Sequence, residues 1–206
     1  MLKKSLYLLY EKAWLKLAIA LSIIALIGFA SVSHYGISTD EPTEVRMVQQ
    51  NIDFIAKGTP IKSDLIHYGT LFNFLSEGVF RIEEWVRYGT LQHPLISPDN
   101  TPCLNYEDSS PGVNLTCRSE LDRYRAAMTE RIRVKHIVTF AFSLLGHVAV
   151  AGIVGIFCGW HYAWLGAIML AVLPRYWGQV FSNPKDIPFA VLFTMATFLG
   201  AYLIEK

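Results

Sequence analysis

The run WLKLAIALSIIALIGFASV, Trp14–Val32, decides the fold of this chain. Its only charge is Lys16, close enough to the start for the ammonium to snorkel back to the headgroups while the stem stays in apolar surroundings. A bilayer core of about 30 Å needs roughly 20 residues of helix, so the run reads as a membrane span. A cleaved signal peptide competes, since Lys3 and Lys4 precede the run. The apolar stretch is longer than a signal core of roughly 7 to 15 residues, starts late, and lacks a convincing A-x-A cleavage site before Ser33, so an anchor is expected.

Three further apolar runs lie downstream. Ile137–Cys158 (IVTFAFSLLGHVAVAGIVGIFC) has no formal charge, and Ala163–Leu173 is short and stops at Pro174-Arg175. A short span is accommodated by thinning of the bilayer. Ile187–Ile204 (IPFAVLFTMATFLGAYLI) has Pro188 in its first turn, where a missing N–H does no harm. The whole chain is 52% hydrophobic and 17% charged, more apolar than an average soluble domain. The expected fold is all-α: a polytopic membrane protein with about four transmembrane helices and a long outer loop of membrane-surface helices after the first. In segments, 1–13 is a cytoplasmic N-terminus, 14–32 the first span and 33–136 the extracytoplasmic loop. Residues 137–206 hold spans two to four, with a short extracytoplasmic loop at 174–187.

Lys3, Lys4, Lys12 and Lys16 gather before or at the start of the first span, which favours a cytoplasmic N-terminus. Four crossings return the C-terminus to the cytoplasm. An integral membrane location is expected, the bacterial inner membrane or, in a eukaryote, the ER membrane. Net charge is only +1, and no basic, aromatic-interleaved stripe occurs, so nucleic acid is set aside as a partner. The lipid bilayer is the first partner.

The outer loop breaks at Gly58-Thr59-Pro60, at Gly89-Thr90 and across Pro94–Pro111. Helices are expected at about Glu44–Lys57, Asp64–Tyr88 and Ser119–Val134. In the middle one Leu65, Tyr68, Leu71, Phe72, Leu75, Val79, Ile82 and Val86 recur at helical spacing, opposite Glu77, Arg81, Glu84 and Arg87. With Phe72, Phe74, Phe80 and Trp85 among them, such helices suit the membrane surface, against a competing reading as a small soluble domain. Cys103 and Cys117 bracket a stretch rich in Pro, Asp and Ser, and an oxidising outer compartment would close it as a disulfide. Cys158 is expected to be a packing residue. Asn114-Leu115-Thr116 fits a glycosylation sequon, a short pattern that chance often produces.

Two polar stretches could carry chemistry. Gly36–Pro42 contains Asp40-Glu41 just beyond the first span. The bland reading is a cap on a helix starting near Pro42, because acidic groups suit a helix N-terminus. The other reading is a carboxylate that takes a proton, beside a second that binds a cation or orients an acceptor. Pro174–Pro188 places Arg175, Lys185 and Asp186 near the bilayer. They could be interface anchors, or two cations that hold a lipid phosphate with an acid beside them.

Asp40-Glu41 after the first span, the long outer loop, and the Pro-Arg, Asn-Pro-Lys-Asp and Ile-Pro-Phe segments of 174–189 together resemble the C-type glycosyltransferase superfamily. The closest likeness is to bacterial members akin to protein O-mannosyltransferases and the aminoarabinose transferase of lipid A. The resemblance implies inverting transfer of a sugar from a polyprenyl- or dolichyl-phosphate carrier to an acceptor at the outer face. It makes Asp40 the general base, Glu41 its acidic partner and Asp186 the second-loop acid. It also allows a divalent cation, Mg, Mn or Zn, at Glu41 and Asp186. Arg175 and Lys185 as ligands of the carrier phosphate are a physical inference, since a cation stabilises the departing charge most in the transition state. Members of the superfamily continue through further spans, so this chain is expected to be the N-terminal portion, completed by further membrane helices or a partner subunit. The rival readings are a non-catalytic membrane subunit or scaffold, or an inactive fragment of such an enzyme.

A small transporter fits less well, because the charges gather at one face and not at mid-membrane. His147, mid-span, is expected to hydrogen-bond a neighbouring helix. Gly155–Gly159 offers a small-residue face. His34, His67, His93, His136 and His161 lack zinc-ligand spacing with cysteine. No phosphate-cradling Gly-Lys-Ser/Thr loop or Gly-x-Ser-x-Gly elbow occurs, so nucleotide-driven and serine-hydrolase chemistry are excluded.

Overall fold

Every regular element in the computed structural model is helical; it describes residues 2–61, 70–89 and 115–206, with side chains for 12–61, 70–89 and 125–206. The helices are α1 (Leu2–Ser31), α2 (Glu41–Lys57), α3 (Leu71–Tyr88), α4 (Leu115–Cys158), α5 (Ala163–Ala171), α6 (Pro174–Gln179) and α7 (Asp186–Glu205), with short 3-10 turns at Val32–His34 and Trp160–Tyr162. The Cys103–Cys117 pairing, the Asn114 sequon and the Pro94–Pro111 stretch lie outside the described residues. The chain forms two compact units, residues 1–36 with 136–206, and residues 37–135.

Among the described residues three helices are long and apolar enough to cross a membrane: Lys12–His34, Arg125–Cys158 and Asp186–Glu205. Fewer than half the residues of each are buried within the protein. Leu15, Ile19, Ile23, Leu26, Leu192 and Leu203 are among those facing out. An outward apolar surface of that extent suits hydrocarbon and would be costly in water. The expected third span is present as a single short helix, α5, which ends before Pro174. α5 has nine residues, about 13.5 Å at 1.5 Å per residue. The cause is local: Pro174 pushes Leu173 to extended backbone (φ −72°, ψ 111°), and the helix restarts as α6.

Within the first unit, α5 and α6 together nonetheless return alongside α4. The Trp160 ring lies over Gly155, Gly166 abuts the Val150 carbonyl, and His147 Nδ1 meets the Ala167 carbonyl at 3.0 Å. Further along, Tyr176 Oη donates to the Ser143 carbonyl (3.2 Å), and Phe181 stacks on Phe140 with centroids 5.2 Å apart. Partner numbers fall along α4 as they rise along α5 and α6, which is an antiparallel run. α1 matches the return: Trp14 stacks on Trp160, Phe29 meets Phe140 edge-on, and Tyr35 lies over Phe181. α7 runs with α4, Val191 near Gly146 and Phe198 over Gly152. The start of α7 and residues 32–35 therefore lie at the same end of this unit, around Val32, Phe140, Val180, Phe181 and Ile187. Glycine makes the close approach: a Cβ at Gly28 would fall 1.8 Å from Phe140 Cζ. His147 is fully buried and makes the expected interhelical bond. Cys158 is exposed at the end of α4 and does not pack.

In the second unit, α2 and α3 end where the glycines predict. Gly58 (φ 69°) and Gly89 (φ 67°) adopt the left-handed conformation that closes a helix, their N–H groups donating to Phe54 and Trp85 carbonyls. The expected helix at 119–134 and the second span are one helix, α4; no Gly or Pro interrupts 115–145, and a change from charged to apolar residues does not by itself break a helix.

α3 is turned opposite to a soluble amphipathic helix. Asn73, Ser76, Glu77, Phe80 and Glu84 are buried, while Leu71 (85% exposed), Ile82 (65%), Trp85 (64%) and Val86 (69%) face out. Ion pairs hold the inward face: Glu77 accepts from Arg81 at 2.8 Å and from Arg131 at 3.2 Å, and Arg131 sits 4.7 Å over the Phe80 ring.

Candidate functional site

α2 begins in a tight turn. The Glu41 N–H donates to the Ser38 carbonyl (3.2 Å), the Glu44 N–H donates to the Asp40 carbonyl (3.1 Å), and Pro42 pre-sets the first turn. Asp40 and Glu41, neighbours in sequence, meet opposite environments there. Asp40 stands at the N-cap with its side chain exposed and makes no capping hydrogen bond. The capping reading of its carboxylate is therefore not what the turn displays.

Glu41 is fully buried. Its Oε2 accepts the Ser38 N–H at 2.7 Å and its Oε1 lies 3.4 Å from Lys135 Nζ. Lys135, itself 3% exposed, also donates to Glu44 Oε2. One ammonium thus bridges two carboxylates one helical turn apart, an arrangement that makes a buried lysine tolerable. Beside it, Glu44, Asn73, Ser76, Glu77, Arg131 and Lys135 line a water-sized pocket far too small for a sugar. Sequence reasoning missed Arg131 and Lys135. Their signal was present as two cations at i, i+4 on one face of α4, four residues apart like the acids' own helical spacing.

The other predicted residues belong to the first unit. Arg175, the second residue of α6, is exposed, Lys185 is half-buried and Asp186 opens α7. Asn183 explains the Asn-Pro-Lys-Asp segment. Its Oδ1 accepts the N–H groups of Asp186 (2.9 Å) and Lys185 (3.3 Å), and its Nδ2 donates to Asp186 Oδ2 (2.8 Å) and Gln179 Oε1 (3.0 Å). These bonds close the turn at 183–186 that leads into α7, whose N-cap position, Lys185, makes no side-chain capping bond. Asp186 remains exposed in this turn.

Of the two residues expected to hold a divalent ion, Glu41 already has its carboxylate engaged, one oxygen by a backbone N–H and one by an ammonium. Among the described residues no group of three or more His, Cys, Asp or Glu is placed to hold a metal ion. No protein-family model, no curated protein and no solved structure matches this chain.

Proposed function

We propose that this chain is part of a membrane glycosyltransferase that moves a sugar from a polyprenyl-phosphate carrier to an acceptor on the extracytoplasmic face. The observation that carries the reading is the exposed, uncapped Asp40 carboxylate held on a turn whose neighbouring acids, Glu41 and Glu44, are buried and paired. A base must reach its proton, and a fixed turn with one outward carboxylate suits that task. Asp40 takes the proton of the acceptor hydroxyl, the acceptor oxygen bonds to the anomeric carbon, and the carrier phosphate leaves with the electron pair of the broken bond. Arg175 and Lys185 meet the phosphate charge as it develops.

The membrane reading behind this counts the return at α5 as the third of four crossings, with 174–187 as the extracytoplasmic loop after it. The antiparallel contacts of α5 with α4 support that count, and with it an extracytoplasmic position for Arg175, Lys185 and Asp186. α3 lies in the headgroup layer, supported by its outward apolar stripe, which no soluble domain would leave in water. A nitroxide at Ile82→Cys is then accessible to oxygen and shielded from a water-soluble nickel chelate; access like that of a free surface residue would remove α3 from the bilayer.

Sugar transfer is tested with undecaprenyl-phosphate-linked mannose and aminoarabinose supplied to membranes holding the full chain, reading release of carrier phosphate. Arg175→Ala or Lys185→Ala is expected to lower kcat/KM for the carrier-linked donor by about 10-fold, as loss of a charged hydrogen bond worth roughly 1.5 kcal/mol does. An equal effect on all substrates, or none, would make them interface anchors. One observation favours a second reading, a non-catalytic scaffold: Asp186 is already held by the Asn183 side chain in the turn that opens α7. Absence of transfer by any carrier-linked sugar, with membrane insertion intact, decides for it.

A further inference from the structure

Four acids, Glu41, Glu44, Glu77 and Glu84, and two cations, Arg131 and Lys135, are buried in the second unit, and they do not serve one purpose. Glu77, Glu84, Arg81 and Arg131 tie α3 to α4. Glu41, Glu44 and Lys135 do something different, because both acids sit in the first turn of α2 and Glu41 reaches back to the backbone of Ser38, two residues before Asp40. The segment Ser38–Glu44 is closed on itself by three hydrogen bonds, and Lys135 holds the closed turn at two points.

We infer that Lys135 is the positioning residue of Asp40: its bridge to Glu41 and Glu44 fixes the turn from which the Asp40 carboxylate projects. The inference deepens the sugar-transfer reading and rests on it for the role of Asp40, though the latch itself is a statement about geometry alone. The physical argument is one of freedom. Asp40 has no cap bond of its own, so its direction is set entirely by the backbone of its turn. That backbone is held by Glu41, and the charge of Glu41 is tolerated in its buried place because Lys135 compensates it. Without the ammonium, Glu41 and Glu44 lose the cation they share and are driven to protonate or swing out to water. Either response releases the Ser38 N–H and lets Asp40 wander. A loss of orientation of about an ångström is enough to cost of the order of 10²-fold in rate.

The test reads the turn directly. Backbone hydrogen exchange is followed by mass spectrometry on the full chain in lipid nanodiscs, for wild type, Lys135→Met, Lys135→Arg and Glu41→Gln. The expected result is exchange at least about 10-fold faster over residues 38–46 in Lys135→Met and Glu41→Gln, near wild-type exchange in Lys135→Arg, and no change over α3 or α7. Unchanged exchange over 38–46 overturns the inference. So does acceleration spread evenly over α2, α3 and α4, which would make Lys135 a general core residue. Should the turn loosen as expected while Asp40→Asn leaves sugar transfer untouched, the latch stands and the transferase reading fails.

Discussion

Asp40→Asn is expected to lower sugar transfer by at least about 10²-fold, the usual contribution of a positioned general base. The amide keeps the size and shape of the carboxylate and cannot accept the proton. Because Asp40 is exposed and its side chain makes no capping bond, the substitution removes no interaction that holds the fold. Thermal unfolding and exchange over 38–46 therefore stay at wild-type values, and the loss falls on kcat with KM for the donor little changed. Donor turnover in the variant equal to wild type would end the assignment of Asp40 as base. The neighbouring Glu41→Gln should behave differently, since Glu41 is buried and paired: it loosens the turn as well as slowing the reaction.

The second large effect is on stability. Arg131→Ala is expected to destabilise the second unit by roughly 1.5–3 kcal/mol, the cost of losing a charged hydrogen bond at a buried carboxylate that keeps Arg81 at 2.8 Å. Arg131 is 6% exposed, its Nε lies 3.2 Å from Glu77 Oε2, and its guanidinium covers the Phe80 ring. Replacing both partners with apolar side chains, Arg131→Met with Glu77→Leu, should recover most of the loss, since neither then leaves a charge stranded. Arg81 would keep Glu84 at 3.4 Å and stands partly in solvent, so its loss of Glu77 is tolerated. Denaturant midpoints in detergent decide the matter; a single variant within about 0.5 kcal/mol of wild type, the range of an ordinary surface change, would mean the pair is solvated in practice.

The comparison of Asp40 with Asp186 shows how far a motif can be read. Both are acids at the start of a helix, and composition alone gives no ground for separating them. Asp186 is held by the side chain of Asn183, three residues before it, in the turn that opens α7. Asp40 occupies the cap position by backbone and leaves its carboxylate unused for it. The stretch Ala163–Leu173 was legible as apolar and its stop at Pro174 as a break. Its return along α4 was not, because antiparallel pairing depends on which side chains meet: Gly166 on Val150, Ala167 on His147, Tyr176 on Ser143.

By itself the sequence determined what depends on neighbours along the chain. Length and apolarity make α1, the later half of α4 and α7 fit to cross a bilayer, and Gly58, Gly89 and Pro174 set helix ends because φ is a local property. Tertiary structure alone decided which face of each helix is inside. Periodicity shows that α3 has a charged face and an apolar face, yet it cannot say that the charged face turns inward; that choice requires Arg131 and Lys135, about fifty and ninety residues away from Glu77 and Glu44, to neutralise what is buried.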